Sequence, residues 1–209
     1  MRTLKDILKA THRIQDKFVS DRKDLETYMR LLRDSGYTIV LTQGVYDMFH
    51  VGHGRYLAEA STHGDVLIVG VDSDELTRSL KGPNRPFDTF EDRIEVLAML
   101  SFIHIIVKRD VDEHKYDLIK LVHPDVLVMS QTTRSFGEED IKALHEHCSG
   151  IRHLKAKAAT STTAKVRRLN IEGAKQLAEK VEGKVQGFSA EIVKLLKESL
   201  RGEGEQSDG

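Results

Sequence analysis

Cysteine is nearly missing from this sequence: Cys148 is the single one among 209 residues, so no disulfide framework can form within the chain. An excess of charge of one sign is missing too. Lys plus Arg number 32 against 33 for Asp plus Glu, which leaves no chain-wide field for nucleic acid or an acidic membrane surface. Any anion site must therefore be local. Apolar runs are short: "VLIVGV" is among the longest, far below the roughly 20 residues that span a bilayer. The N-terminal "MRTLKDILKATHR" has no apolar core of signal-peptide type, and no repeat of solenoid period or long low-complexity segment occurs. Together these absences predict a cytoplasmic protein with no membrane span and no nucleic-acid partner.

What is present suits a globular enzyme. Hydrophobic residues make up 39% and charged residues 31%, enough apolar material for one domain with terminal appendages. Short β-branched runs alternate with amphipathic stretches, the pattern of βαβ units around a parallel sheet buried on both faces. Strands are predicted near 38–43, 66–71, 104–108, 126–130 and 152–157, and helices near 54–62, 89–100, 115–122 and 137–148. Ile94, Val96, Leu97 and Leu100 give one of these helices a core-facing stripe. Right-handed crossovers then build an α/β, Rossmann-like, doubly wound parallel sheet whose ligands bind beyond the carboxyl ends of the strands.

Four segments follow from composition. Residues 1–35 read as a charged, helical lead-in, with "DLETYMRLLRDSGY" closing at Gly36 as a C-cap. Residues 36–169 hold the main domain. Residues 170–201 form a helical extension with Ile192, Val193, Leu195, Leu196 and Leu200 on one face, fit to pack on the body or on a partner subunit. Residues 202–209, "GEGEQSDG", have nothing to bury and are expected to be disordered.

The chemistry concentrates in "TQGVYDMFHVGHGRYLAEA", Thr42 to Ala60. A strand leads into Gly44, where the missing Cβ would let a ligand approach the backbone, and His50 and His53 fall at the start of the next helix. An i, i+3 pair projects from one side, beside the free N–H groups of a helix start, and Gly52 keeps the space between clear. The pair reads as a phosphate clamp. Half a metal site and two chance surface histidines are the competing readings, although no third ligand lies at a standard short spacing. His145, His147 and Cys148 in "HEHC" diverge on a helix and read as a polar helix end.

These residues resemble the signature of the HxGH nucleotidyltransferase superfamily, in the branch of cytidylyltransferases and heptose-1-phosphate adenylyltransferases. The likeness continues through "GDVLIVGVDSDELTRSLKGPNRPF", "EDRIEVLAML", "HPDVLV" and "STTAKV", roughly residues 36–168. It implies that an acceptor phosphate attacks the α-phosphorus of ATP or CTP in line, with Mg²⁺ on the triphosphate, and that pyrophosphate leaves. By resemblance His50, His53 and Lys81 are the catalytic donors to the phosphates. The nucleotide site would comprise Gly44, Val45, Tyr46, Asp47, Phe49, Gly52, Asp72, Asp74, Arg85, Arg93, Ser161, Thr162 and Thr163. Several of these have a plain alternative. Lys81 could be a solvated loop lysine, and Arg85 could sit in a loop shaped by Pro83 and Pro86. Arg93 could pair with a carboxylate one turn away, and Asp47 could cap its own turn rather than orient His50 or hold Mg²⁺ indirectly. Asp72, Asp74 and the hydroxyls of Ser161 to Thr163 could be helix caps.

Two departures separate this chain from its nearest patterns. Where cytidylyltransferases carry "RTEGIST", this sequence reads "KAKAATST", with Ala159 in place of the glycine and no matching arginine. Where the heptose branch carries a "KGGDY"-like segment, Met129, Ser130 and Gln131 stand instead, which leaves Gln131, Thr133 and Arg134 as candidates for the acceptor. The expected function is transfer of a nucleoside monophosphate, AMP from ATP before CMP from CTP, onto a phosphorylated sugar or alcohol by a homodimer. A catalytically silent nucleotide-binding scaffold is the alternative of another class.

Overall fold

The computed structural model describes residues 3–9, 11–131, 137–155 and 162–202, with only the backbone described at 138, 162–168, 190 and 195–202. The chain divides into two compact units, Met1–Ala159 and Thr160–Gly209.

The first unit is built on six parallel strands: β1 Phe18–Val19, β2 Ile39–Gly44, β3 Val66–Asp72, β4 Ile105–Arg109, β5 Val126–Ser130 and β6 Gly150–Leu154, in the order β1-β4-β3-β2-β5-β6. Its helices are α1 Leu4–Leu8, α2 Ile14–Lys17, α3 Arg22–Asp34, α4 Val51–Ser61, α5 Asp74–Lys81, α6 Phe90–Ala98, α7 Asp117–Val122 and α8 Glu138–Leu144. This is the Rossmann-like, doubly wound sheet expected. Successive strands send alternate side chains to opposite faces. Ile39 and Leu41 join Leu25, Met29 and Ile119 in one core layer, while Val40 joins Leu57, Ile94 and Leu97 in the other. Burial on both faces is why β3 is apolar along nearly its whole length.

The lead-in is more than helical. It supplies β1, which pairs parallel to β4 at the sheet edge, and it buries Ile7, Leu25, Tyr28, Met29 and Leu32. Its last helix ends as expected, with Gly36 at φ 77° and the Tyr37 N–H donating to the Leu32 carbonyl at 3.1 Å. Lys17, 1% exposed, donates to the Leu100 carbonyl at 2.6 Å, and burial pulls its ammonium pKa down to about 8. Strand β6 starts two residues before the predicted 152–157, with Ile151 and Leu154 packed on the core, and residues 156–157 of that prediction lie outside the described residues. Helix α5 is not among the ranges predicted from periodicity, since "DELTRSLK" offers only Leu76 and Leu80, although a helix after Asp72 and Asp74 is the alternative reading of those two residues. Its start is set by Ser73, whose hydroxyl accepts from the Leu76 N–H at 3.0 Å.

Among the described residues the second unit is a single helix, α9, Thr162–Gly202, of 41 residues. It covers the predicted helical extension and the residues just before it. The tail beyond Gly202 lies outside the described residues. Among the described residues, no helix is long and apolar enough to cross a membrane.

Candidate active site

The order of strands fixes where a ligand can enter. From β2 the chain moves outward through β3 and β4, then returns to place β5 on the other flank of β2. Pairing between β2 and β5 ends at Thr42 opposite Val128, while β2 continues beside β3 to Gly44 opposite Val71. Past Thr42 the two strands no longer pair, and α4 and α8 pack in opposite core layers through Leu57 and Leu144, the topological switch point at which open α/β sheets bind ligands.

The loop after β2 delivers both histidines to this place. His50 is the N-cap of α4, and its Nδ1 accepts the Gly52 N–H at 3.0 Å. That bond uses the Nδ1 lone pair, so the neutral ring carries its proton on Nε2 and presents a donor on the side away from the helix. His53 lies in the first turn, its ring stacked on that of His50 with centroids 3.9 Å apart and planes 17° apart. Tyr46 and Phe49 pack against His53 at 5.8 Å and 5.5 Å between centroids, which holds its ring in place. Gly52 is buried where the cap closes. The two imidazoles are thus brought together at a helix N-terminus, where an anion is favoured.

Gly44 plays a different part from the one read in the sequence. A Cβ there would come within 3.3 Å of the Tyr46 ring, so the missing side chain admits the tyrosine rather than leaving the backbone open. Tyr46 is itself buried, and burial drives its phenol well above the usual range. Its φ of 57° and the 48° of Met48 place two non-glycine residues of this loop in the left-handed region.

Asp47, between them, is the keystone of a second loop. Its carboxylate takes an ion pair from Arg85 and accepts from the N–H groups of Phe87 at 2.9 Å and Asp88 at 3.0 Å, while the Asp88 carboxylate accepts from the Met48 N–H at 2.6 Å. Arg85 also stacks over Phe87 at 4.7 Å, and Val45 is buried beside this junction. Arg93, 2% exposed, is a three-way tie: it donates to the Val45 carbonyl at 2.6 Å, the Asp88 carbonyl at 3.2 Å and the Asp74 carboxylate at 2.7 Å. Its carboxylate partner therefore comes from α5 and not from its own helix. Asp72 accepts from Arg109 at 2.8 Å, and burial raises its pKa against the pull of Arg109, Lys81 and Arg93.

Lys81, in the last turn of α5, reaches solvent but stands among these groups. Desolvation pulls its pKa down, opposed by Asp72 and Asp47 and assisted by Arg85 and Arg93. Gln131 follows β5, exposed, with its N–H bonded to the Leu154 carbonyl at 3.0 Å. Thr133, Arg134 and Ser161 lie outside the described residues, while Thr162 and Thr163 open α9. Among the described residues no group of three metal ligands occurs, and Cys148 is buried with its Sγ against the Leu144 carbonyl at 3.1 Å.

One residue escaped the sequence reading. Gln43, next to Gly44 at the end of β2, has both carboxamide atoms buried with no hydrogen-bond partner among the described residues. Its Cγ lies 3.2 Å from where a Gly70 Cβ would sit, close to Arg109. Its place inside the HxGH segment was the signal that could have found it.

The fold and the paired histidines define a nucleotidyltransferase-type α/β domain, and comparison with known proteins gives the family. The cytidylyltransferase-like family model matches residues 41–168, and the chain belongs to that family. Among curated relatives, the Bifunctional protein HldE of Sulfurimonas denitrificans is 41% identical over 113 residues, covering 54% of this chain and 24% of the relative. The protein of the same name from Nitratiruptor sp. is 42% identical over 113 residues, with the same coverage of 54% and 24%. The chain thus spans about a quarter of the length of these relatives. A lipopolysaccharide core biosynthesis protein from Thermoplasma volcanium shares the fold, with a TM-score of 0.50 and 24% identity over 59% of this chain and 100% of that one.

Proposed function

We propose that this protein transfers a nucleoside monophosphate, AMP from ATP, onto a phosphorylated sugar or alcohol and releases pyrophosphate. The observation that carries the reading is the stacked His50 and His53 at the N-terminus of α4, beside the divergence of β2 and β5. An acceptor phosphate oxygen attacks the α-phosphorus, the bond to the bridging oxygen of pyrophosphate breaks, and negative charge grows on the α-phosphate oxygens. Donors fixed beforehand stabilise that charge without reorganising. The Nε2–H of His50 is such a donor, and Lys81 adds a mobile cation for the departing phosphates. The series "GDVLIVGVDSDELTRSLKGPNRPF" favours adenylyl over cytidylyl transfer, and the HldE likeness supports the same choice.

Mg²⁺ fits this reading as a cation carried by the triphosphate. Asp47, Asp72 and Asp74 each hold an arginine, so phosphate oxygens and waters would make up most of its shell. A homodimer in a reducing cytoplasm belongs to the same proposal, supported by the single, buried cysteine and the apolar extension.

The test pairs ATP and CTP, with Mg²⁺, against a panel of sugar 1-phosphates and polyol phosphates, reading pyrophosphate release. ATP-dependent release that falls about 10²–10³-fold in His53→Ala is expected. Triphosphate binding without turnover on any acceptor would favour the scaffold reading, and absence of triphosphate binding by the folded protein would overturn both.

A further inference from the structure

We propose that α9 is one strand of a parallel, two-stranded coiled coil whose other strand is a second copy of this chain. The helix carries large apolar side chains in water: Leu177 is 64% exposed, Phe188 65%, Val185 58% and Val181 53%. Their spacing is the informative part. Ile171, Ala178, Val185 and Ile192 fall seven residues apart, and Ala174, Val181, Phe188 and Leu195 fall three residues after each of them. This unbroken alternation of three and four repeats every 3.5 residues on average, the seam of a left-handed coiled coil. A helix lying on a globular core or a membrane would follow 3.6 and use a broader stripe.

The occupant follows from charge, shape and area. Between Leu169 and Lys194, the part that carries most of the seam, four Glu offset four Lys, so this stretch has no net charge to favour an anionic lipid surface. Three of the four residues in the first seam row are β-branched, the choice that favours two parallel strands. In that arrangement the flanking positions meet without like charges: Leu177 faces the partner's Glu182 and Lys184 the partner's Ser189. An antiparallel pair with these layers matched would set Glu182 against Glu182 and Lys184 against Lys184, which costs stability. Burying an Ile, Val or Phe removes roughly 60–120 Å² from water at 25 cal/mol per Å², so Ile171, Val181, Val185, Phe188 and Ile192 of the two strands together cover about 600–1,200 Å². That reaches the range of about 1,000 Å² at which specific interfaces begin.

Three glycines complete the pattern. Gly173, Gly183 and Gly187 lie off the seam, where a Cβ would meet nothing within 4 Å. Each weakens a lone helix by about 1 kcal/mol relative to Ala. They leave the seam intact while tying formation of the helix to pairing.

The experiment measures the mass of the full chain by sedimentation at tens of micromolar, for the wild type and for Val185→Asp combined with Phe188→Glu. Twice the chain mass of 23.6 kDa is expected for the wild type. Charges placed in the seam are expected to raise the dimer dissociation constant about a hundredfold or more. Thermal unfolding of the first unit should be unchanged in the variant, which separates loss of pairing from loss of fold. Ala174→Cys, oxidised, should cross-link two copies through equivalent positions, whereas the antiparallel pair would set that position opposite Ile192. A monomeric wild type, a double variant that stays dimeric, or binding of the wild type to phosphatidylserine vesicles as a monomer would each overturn the proposal. None of these outcomes depends on the enzymatic reading, which stands or falls by pyrophosphate release.

Discussion

His50 has two separable duties, and two substitutions tell them apart. Its Nδ1 caps α4 through the Gly52 N–H at 3.0 Å, and its Nε2–H is the proposed donor to the α-phosphate. His50→Asn keeps an acceptor at the N-cap, where asparagine is among the preferred residues, but removes the distal donor. His50→Ala removes both. Loss of an N-cap bond costs about 0.5–2 kcal/mol, whereas loss of one transition-state donor costs about 2.7–4 kcal/mol in the barrier, or 10²–10³ in rate. Urea unfolding should therefore place His50→Asn close to the wild type and His50→Ala below it by about 1 kcal/mol. Pyrophosphate release should fall about 10²–10³-fold in both. If His50→Asn kept its rate, the outward Nε2–H would have no part in the chemistry. If both variants lost equal stability, the cap would not depend on the side-chain acceptor.

Asp47→Ala leaves the half-buried Arg85 without its carboxylate and two N–H groups without an acceptor, so a loss of about 3 kcal/mol in urea unfolding is expected, with activity falling alongside. Gln43→Leu removes a carboxamide that has no partner among the described residues, so stability should hold or rise while the KM for nucleotide or acceptor increases; unchanged kinetics would leave Gln43 without a role in binding. Lys17 has a folded pKa of about 8 against an unfolded 10.5, so between those values the unfolded chain binds more protons and stability rises with pH. The gain is at most about 3 kcal/mol by pH 10 and should vanish in Lys17→Met, whose unfolding free energy, followed from pH 7 to 10, checks it.

The sheet was legible because each central strand is a compact β-branched run, and β3, buried on both faces, shows no polar interruption until Asp72. The histidines were legible because strand, turn and helix start are consecutive in sequence. Other parts depend on partners far along the chain. Arg93 reads as a phosphate ligand or as the partner of a carboxylate one turn away until the fold brings Val45 and Asp74 to it. Asp47 shows its office only when residues 85–88 close over it. Strand β1 is two residues long, too short for any alternation, and α5 leaves Leu80 61% exposed, so no apolar stripe announced it. Gln43 sits inside the histidine segment, yet what marks it, a buried carboxamide with no partner among the described residues, is a property of the packed state.

The exchange between Asp47 and Asp88 makes the histidine loop a composite object. Its two left-handed residues, Tyr46 and Met48, hold their shape because a segment some forty positions downstream is fastened across them. A designer who transplanted "GVYDMFHVGH" into another parallel sheet would carry over the imidazoles but not the clasp, and the loop would relax toward ordinary backbone angles. The portable module is the pair of segments 44–53 and 85–93, together with a sheet that sets them side by side.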